Sequence, residues 1–220
     1  MIETLLAGDS AAPLDYRDGW QLQRRLHDEV VAGRDGVLVL CEHASVYTAG
    51  KRTEAHERPV DGSPVVDVDR GGRITWHGPG QLVGYPIVRL REPVDVVAYV
   101  RSLEGMLIAV LADLGVPGER IDGRSGVWIR RPLGADKIAA IGIRVAGGVT
   151  MHGFALNVSN SLEPYSRIVP CGISDAGVTT VERERGEAPS MESVRARVEA
   201  RFREAAPAFA VVDAIAEVAA

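Results

Sequence analysis

The chain has 220 residues, 46% of them apolar, with 25 basic and 30 acidic side chains and a formal net charge of -5. That length supports one sizeable core or two small lobes, and the interspersed charges with an acidic excess give no nucleic-acid footprint. No apolar run approaches the roughly 20 residues of a membrane span, and the N-terminal stretch meets Glu3 and Asp9 without a basic region, so no signal peptide is expected. With Cys41 and Cys171 as its two cysteines, the chain is expected to be cytoplasmic with free thiols.

In chain order, Tyr16 to Val31 carries apolar residues at helical spacing and stops at Gly33. Val37 to Cys41 is a continuous apolar run, expected as a buried strand with Cys41 as a core thiol. The strand is expected to extend to about Tyr47, with a loop to Arg58. Residues 64–69 and 73–76 read as strands, and 82–90 as another, in which Pro86 argues for an edge or an irregularity. From Pro93 onward, Val96, Val100, Leu103, Leu107, Val110 and Leu114 mark a wide apolar helix stripe ending at Gly115. Short strands are expected at 119–121 and 126–129. Two longer ones, 138–145 and 149–158, form a hairpin about Ala146-Gly147-Gly148. Residues 172–180 read as loop. Ser190 is the expected N-cap of a helix running to about Ala206, before Pro207 and an alanine-rich tail. This order suggests an α+β fold in one domain, 1–220, with mixed or antiparallel sheets and packed helices.

The segment Arg70-Gly71-Gly72-Arg73-Ile74-Thr75-Trp76-His77-Gly-Pro-Gly-Gln81 lacks the spacing of a dinucleotide fingerprint and the Lys-Ser/Thr of a P-loop. It reads as either a tight hairpin or a pocket wall with His77 pointing inward. The five histidines are scattered with no ligand spacing, so no metal site is expected, even if folding gathered His43, His77, His152 and Cys171. Lys137, one of two lysines, offers an amine where the chain otherwise uses guanidinium. Cys171 lies in a Pro-Cys-Gly turn. A thiol beside an amine makes an activated nucleophile; a buried thiol and a solvent-facing charge are the alternative.

The blocks RGGRITWHGPGQLVGYPI, GVWI, KIAAIGIR, TMHGFALNVS and RIVPCG, in this order, resemble the octanoyltransferase family, also called lipoyl(octanoyl) transferases or lipoate-protein ligase B. The resemblance covers most of Arg70 to Ile173 and thins beyond it. It implies a biotin/lipoate protein ligase-like fold, Cys171 as acyl-accepting nucleophile and Lys137 as its activating neighbour. The acyl site would comprise Arg70 to His77, Ala140-Ile141-Gly142 and Gly153-Phe154-Ala155, with His152 a further positioning candidate and Leu156 part of the channel wall. The implied reaction moves an octanoyl group from acyl carrier protein to a lysine of lipoyl domains, in 2-oxoacid dehydrogenases and the glycine cleavage H protein. Neither cofactor nor metal is implied, and a monomer is the simplest state. An acidic carrier needs a positive rim, for which Arg73, Arg130, Arg131, Arg144 and Arg167 are available. An ATP-dependent lipoate or biotin ligase, a non-enzymatic acyl-carrier-binding protein and a cysteine hydrolase that passes the acyl group to water are the rival readings.

Overall fold

Two apolar faces on one sheet decide the architecture. The structure, a computed structural model, describes residues 2–168 and 176–212. The larger sheet holds β1 (Glu3–Leu6), β2 (Val37–Cys41), β6 (Gln81–Ile87), β10 (Val149–Asn157), β9 (Gly134–Ala146), β8 (Arg124–Arg131) and β7 (Glu119–Ile121) in that spatial order. An eighth strand, β11 (Ala176–Val178), pairs in parallel with the start of β9. A smaller sheet is built from β4 (Val65–Asp67), β3 (Val46–Ala49) and β5 (Thr75–His77).

β2 is apolar at every position because it is covered on both sides. Leu38 and Leu40 join the main core with α2 (Val96–Asp113) and α4 (Met191–Ala205), where Leu103, Leu107, Leu111, Val198 and Phe202 are buried. Val37, Val39 and Cys41 face α1 (Tyr16–Val31) and pack with Leu26, Val30, Val83 and Tyr85. A short helix, α3 (Val181–Arg185), links β11 to α4. A third cluster, Tyr47, Ile74, Trp76, Tyr165 and Ile168, fills the smaller sheet. Burying each large aliphatic side chain contributes about 1.5–3 kcal/mol. The α2 stripe therefore holds that helix on the sheet more than its own propensity does.

The expected helices, most of the strands and the hairpin turn are present. Asp15, Asp95 and Ser190 cap α1, α2 and α4 through their side chains. Four points differ. The extension of β2 past Cys41 does not form; β3 instead crosses to the smaller sheet, where it pairs with β4 and β5. Glu3–Leu6 adds a parallel edge strand to β2, and the stretch read as loop before Thr180 contains β11. In the tail, Ala210 bridges to Leu90, and 213–220 lie outside the described residues. Pro86, lastly, sits in an interior strand between β2 and β10. It produces the irregularity that its missing N–H demands.

Candidate active site

Between the two sheets and the start of α1 lies a cavity of about 250 Å³. Lys137, on β9, lines it, and a single extra residue puts it there. Ala139 stands opposite Val127 and Lys137 opposite Trp128, so β9 carries one residue more than β8 over this step. Both Ile138 and Ala139 consequently pack into the main core. Strict alternation from Ala139 would have sent Lys137 to that side too; the bulge returns it to the cavity. There Lys137 is 8% exposed, its Nζ 4.5 Å from the centroid of the Trp128 ring.

His152 reaches the cavity through a second irregularity. The register of β10 against β6 places it across from Pro86, which offers no N–H to the ladder. His152 adopts φ 57°, and its own N–H turns to Gln23 Oε1 on α1, at 2.8 Å. Its Nε2 donates to Asp69 Oδ1 at 2.7 Å, while Arg144 pairs with the other Asp69 oxygen. Burial depresses the basicity of this imidazole, and the bond to Asp69 opposes that.

His77 is held by a chain of directed hydrogen bonds. The Gln81 amide nitrogen donates to Asn157 Oδ1 and to the Tyr165 hydroxyl, both at 2.9 Å, which turns Gln81 Oε1 toward His77 Nδ1 at 2.7 Å. Nδ1 therefore carries the proton and Nε2 the lone pair. The ring stacks on Tyr16, and burial pushes its pKa down to about 3. His43 lies 6.0 Å away, centroid to centroid. It donates Nδ1–H to the Leu14 carbonyl and accepts the Tyr85 hydroxyl proton at 2.6 Å, with its pKa pushed down to about 4 by burial.

Arg70 supplies a fixed cation at the cavity wall. It is 7% exposed, and its guanidinium donates to the Thr48 carbonyl and hydroxyl and to the carbonyls of Gly71 and Arg73. Gly72, Arg73, Ile74 and Thr75 line the same wall, and Ala140, Ile141, Gly142, Gly153, Phe154 and Ala155 line the opposite one. Gly71 and Trp76 do not line it. Gly71 N–H bonds to the Ile143 carbonyl, tying the loop to β9. Trp76 packs in the smaller sheet with its Nε1–H on the Ser45 hydroxyl. Leu156 is in the main core and does not line the cavity; Phe154, two residues before it on the same face of β10, is in that core and lines the cavity as well.

Tyr16, Val83, Tyr85, Arg52, Arg124 and Ser125 also line the cavity, and none was singled out from the sequence. Tyr16 had a signal, an aromatic at the first turn of an amphipathic helix, but one that a core position shares. Burial pushes its hydroxyl pKa up to about 12. Cys41 does not line the cavity; it is fully buried and its thiol is pushed far up by burial, which keeps it protonated and inert. Cys171 lies outside the described residues. Among the described residues no three histidine, cysteine, aspartate or glutamate side chains gather as a metal site, and no helix is long and apolar enough to cross a membrane.

The five arginines expected at a positive rim are each paired with carboxylates: Arg73 with Glu54 and Glu57, Arg130 with Glu119, Arg131 with Asp136 and Glu184, Arg144 with Asp69, and Arg167 with Asp61 and Glu163. They do not form a field of unpaired charge.

The sequence matches the family described as lipoyl protein ligase A/B catalytic domain over residues 15–203. It is 63% identical over 209 residues to an octanoyltransferase of Leifsonia xyli subsp. xyli, covering 91% of this chain and 93% of that one. To an octanoyltransferase of Mycobacterium tuberculosis it is 61% identical over 188 residues, covering 85% and 81%. Among solved structures, a lipoate-protein ligase A bound with ATP matches with a TM-score of 0.74 at 18% identity, over 92% of this chain and 84% of that one. A biotin protein ligase from Aquifex aeolicus in complex with biotin and ATP matches with a TM-score of 0.51 at 16% identity, over 93% and 69%. These two structural likenesses establish a shared fold.

Proposed function

Since the chain belongs to the lipoyl protein ligase A/B catalytic family and, within it, to the octanoyltransferases, we propose that it moves an octanoyl group from acyl carrier protein to a lysine of lipoyl domains through a thioester on Cys171. The acceptors would be lipoyl domains of 2-oxoacid dehydrogenases and the glycine cleavage H protein, and residues 1–220 would act as one acyltransferase domain. The observation that carries the reading is the bulge that turns Lys137 out of the core and into a cavity walled by Ile74, Val83, Ile141 and Phe154. After 169–175 the chain returns to the described structure as β11, with Val178 paired to Lys137.

In this reading the Lys137 amine takes the proton of Cys171, and the resulting ammonium favours the thiolate. The thiolate attacks the thioester carbonyl of the donor. The tetrahedral intermediate collapses to acyl-Cys171, and the departing carrier thiolate recovers the proton from Lys137. The acceptor amine then attacks the acyl-cysteine, Lys137 takes the proton this amine sheds, and the amide forms as the Cys171 thiolate leaves. The donor is already an activated thioester, so neither half requires nucleotide. The octanoyl tail would lie along the apolar wall. At about 0.8 kcal/mol per buried methylene, seven carbons contribute about 5 kcal/mol before ordering costs.

Intact mass after mixing with octanoyl-carrier and no ATP tests this directly. The expected result is one octanoyl adduct, absent from Cys171→Ser and discharged by a lipoyl domain. Failure to form an adduct with any acyl donor would overturn the reading, and amide formation from free octanoate only with ATP would assign a ligase instead.

A further inference from the structure

The bulge that aims Lys137 frees a backbone donor on the neighbouring strand, and a buried carboxylate answers it from the other side of the sheet. Gly126, next to Val127 at the register shift, has φ 103°. A Cβ there would stand 2.5 Å from the Ala139 carbonyl oxygen and 3.4 Å from Lys137 Cε. The glycine is thus wedged between the bulge and the lysine stem, in a backbone conformation other residues rarely adopt. Its N–H donates to Glu104 Oε1 at 2.9 Å.

Glu104 lies on α2 and is fully buried. Its other oxygen accepts from Arg101 Nη1 at 2.8 Å and faces Arg120 Nε at 3.3 Å. A carboxylate this deep costs several kcal/mol to desolvate, and both arginines reach it from more exposed positions. A hydrophobic residue would hold α2 on the sheet without that cost. What it would not do is satisfy the Gly126 N–H, which would otherwise be left buried and unpaired.

We propose that Glu104 is a positioning residue for Lys137, acting through Gly126 by pinning the bulge that presents the amine to the cavity. The inference rests on the reading of Lys137 as the group that activates Cys171. It assigns to α2 a part in the chemistry although the helix packs on the opposite face from the cavity. It also separates two functions of one side chain, since the acceptor for Gly126 and the partner of the arginines are different oxygens.

Two conservative variants divide these functions. Glu104→Gln keeps an acceptor at the distance of Oε1 and gives up the charge, whereas Glu104→Asp keeps the charge and withdraws the acceptor by one methylene. Each is compared with wild type and with Lys137→Ala for acyl-enzyme formation by intact mass. Alkylation of Cys171 by iodoacetamide is followed as a function of pH, with the modified peptide identified by mass. Positioning predicts that Glu104→Asp loses up to roughly 100-fold in acylation rate, the scale of a 1 Å misplacement. Its alkylation profile should move to higher pH in the direction of Lys137→Ala, while Glu104→Gln stays near wild type. A displaced profile for Lys137→Ala with an unchanged one for Glu104→Asp overturns the inference and leaves the reading of Lys137 standing. The reverse pattern, loss in Glu104→Gln and retention in Glu104→Asp, makes the ion pair the relevant feature and overturns it as well. Unchanged profiles in all three variants would remove Lys137 from the activating role, a failure of the underlying reading.

Discussion

At the residue scale, the histidines of the cavity are set by their neighbours. Gln81 has no freedom to flip, because Asn157 Oδ1 and the Tyr165 hydroxyl both call for its amide nitrogen. His77 is thereby fixed as the Nδ1–H tautomer and offers a lone pair at Nε2, suited to accept a hydrogen bond and unsuited to hold a charge. His77→Ala is expected to slow acyl transfer more than it lowers the melting temperature, and near-wild-type transfer would remove His77 from the site's working parts. Stability should respond to acid for the same reason. The unfolded chain protonates His43 and His77 near the ordinary value of about 6.5, while the folded chain holds them neutral down to about 4 and 3. The unfolded state therefore binds more protons, and stability is full above about pH 7 and falls as the pH drops from about 6.5 toward 4 for His43 and toward 3 for His77. At pH 5 each histidine accounts for about 2 kcal/mol of that loss. Urea unfolding across this range measures it, and His77→Gln should show the shallower slope.

At the scale of elements, what could be read from the sequence followed regular periodicity, and what could not depended on its interruption. The stripe from Val96 to Leu114 gave α2, and paired glycines at 147 and 148, both at positive φ, gave the β9–β10 turn. The motif blocks pointed to walls that the structure does bring around one cavity, from Ile74 on one side to Ala155 on the other. Trp76 belongs to a motif block yet packs in the cluster of the smaller sheet, and Leu156 shares a face of β10 with Phe154, as alternation predicts, but of the two only Phe154 reaches the cavity. The bulge at Ile138 has no signature of its own in a run of small apolar residues, so the exit of Lys137 from the core was not derivable from spacing. Pro86 did announce an irregularity, though not that His152 would be its beneficiary. Close approach at the centre of the sheet is similarly hidden. Phe154 stands opposite Gly84, and a Cβ on Gly84 would fall 2.1 Å from Phe154 Cζ. Gly84→Ala forces the ring off its seat. We expect a destabilisation of about 1–3 kcal/mol from overpacking, read by denaturant unfolding, together with weaker retention of the octanoyl group. A stability equal to wild type would show that the ring has room to move.

At the scale of the whole molecule, the question is how a chain of net charge -5 would receive an acidic carrier protein, the donor proposed above. Its arginines are largely occupied by internal pairs, which screen one another and leave little long-range field. Lys51 and Arg52 are the exception next to the cavity. Both are exposed, neither forms an ion pair among the described residues, and Arg52 lines the cavity itself. Their backbone is fastened to the same loop, with Lys51 N–H on the Arg70 carbonyl and Arg52 N–H on the Gly72 carbonyl. This gives an acidic partner a small positive target beside the opening in place of a broad basic rim. Steering of this kind acts on the association rate and fades with salt, because the screening length shrinks from about 10 Å at 0.1 M to about 3 Å at 1 M. Arg52→Glu is therefore expected to lower kcat/KM for octanoyl-carrier several-fold at low ionic strength, and the difference should close as salt rises. Octanoyl-pantetheine, which lacks the carrier, should be turned over almost as by wild type. Arg203→Glu on α4 makes the same change in net charge away from the cavity and serves as the control. Equal losses in the two variants would assign the effect to overall charge and leave Lys51 and Arg52 without a steering role.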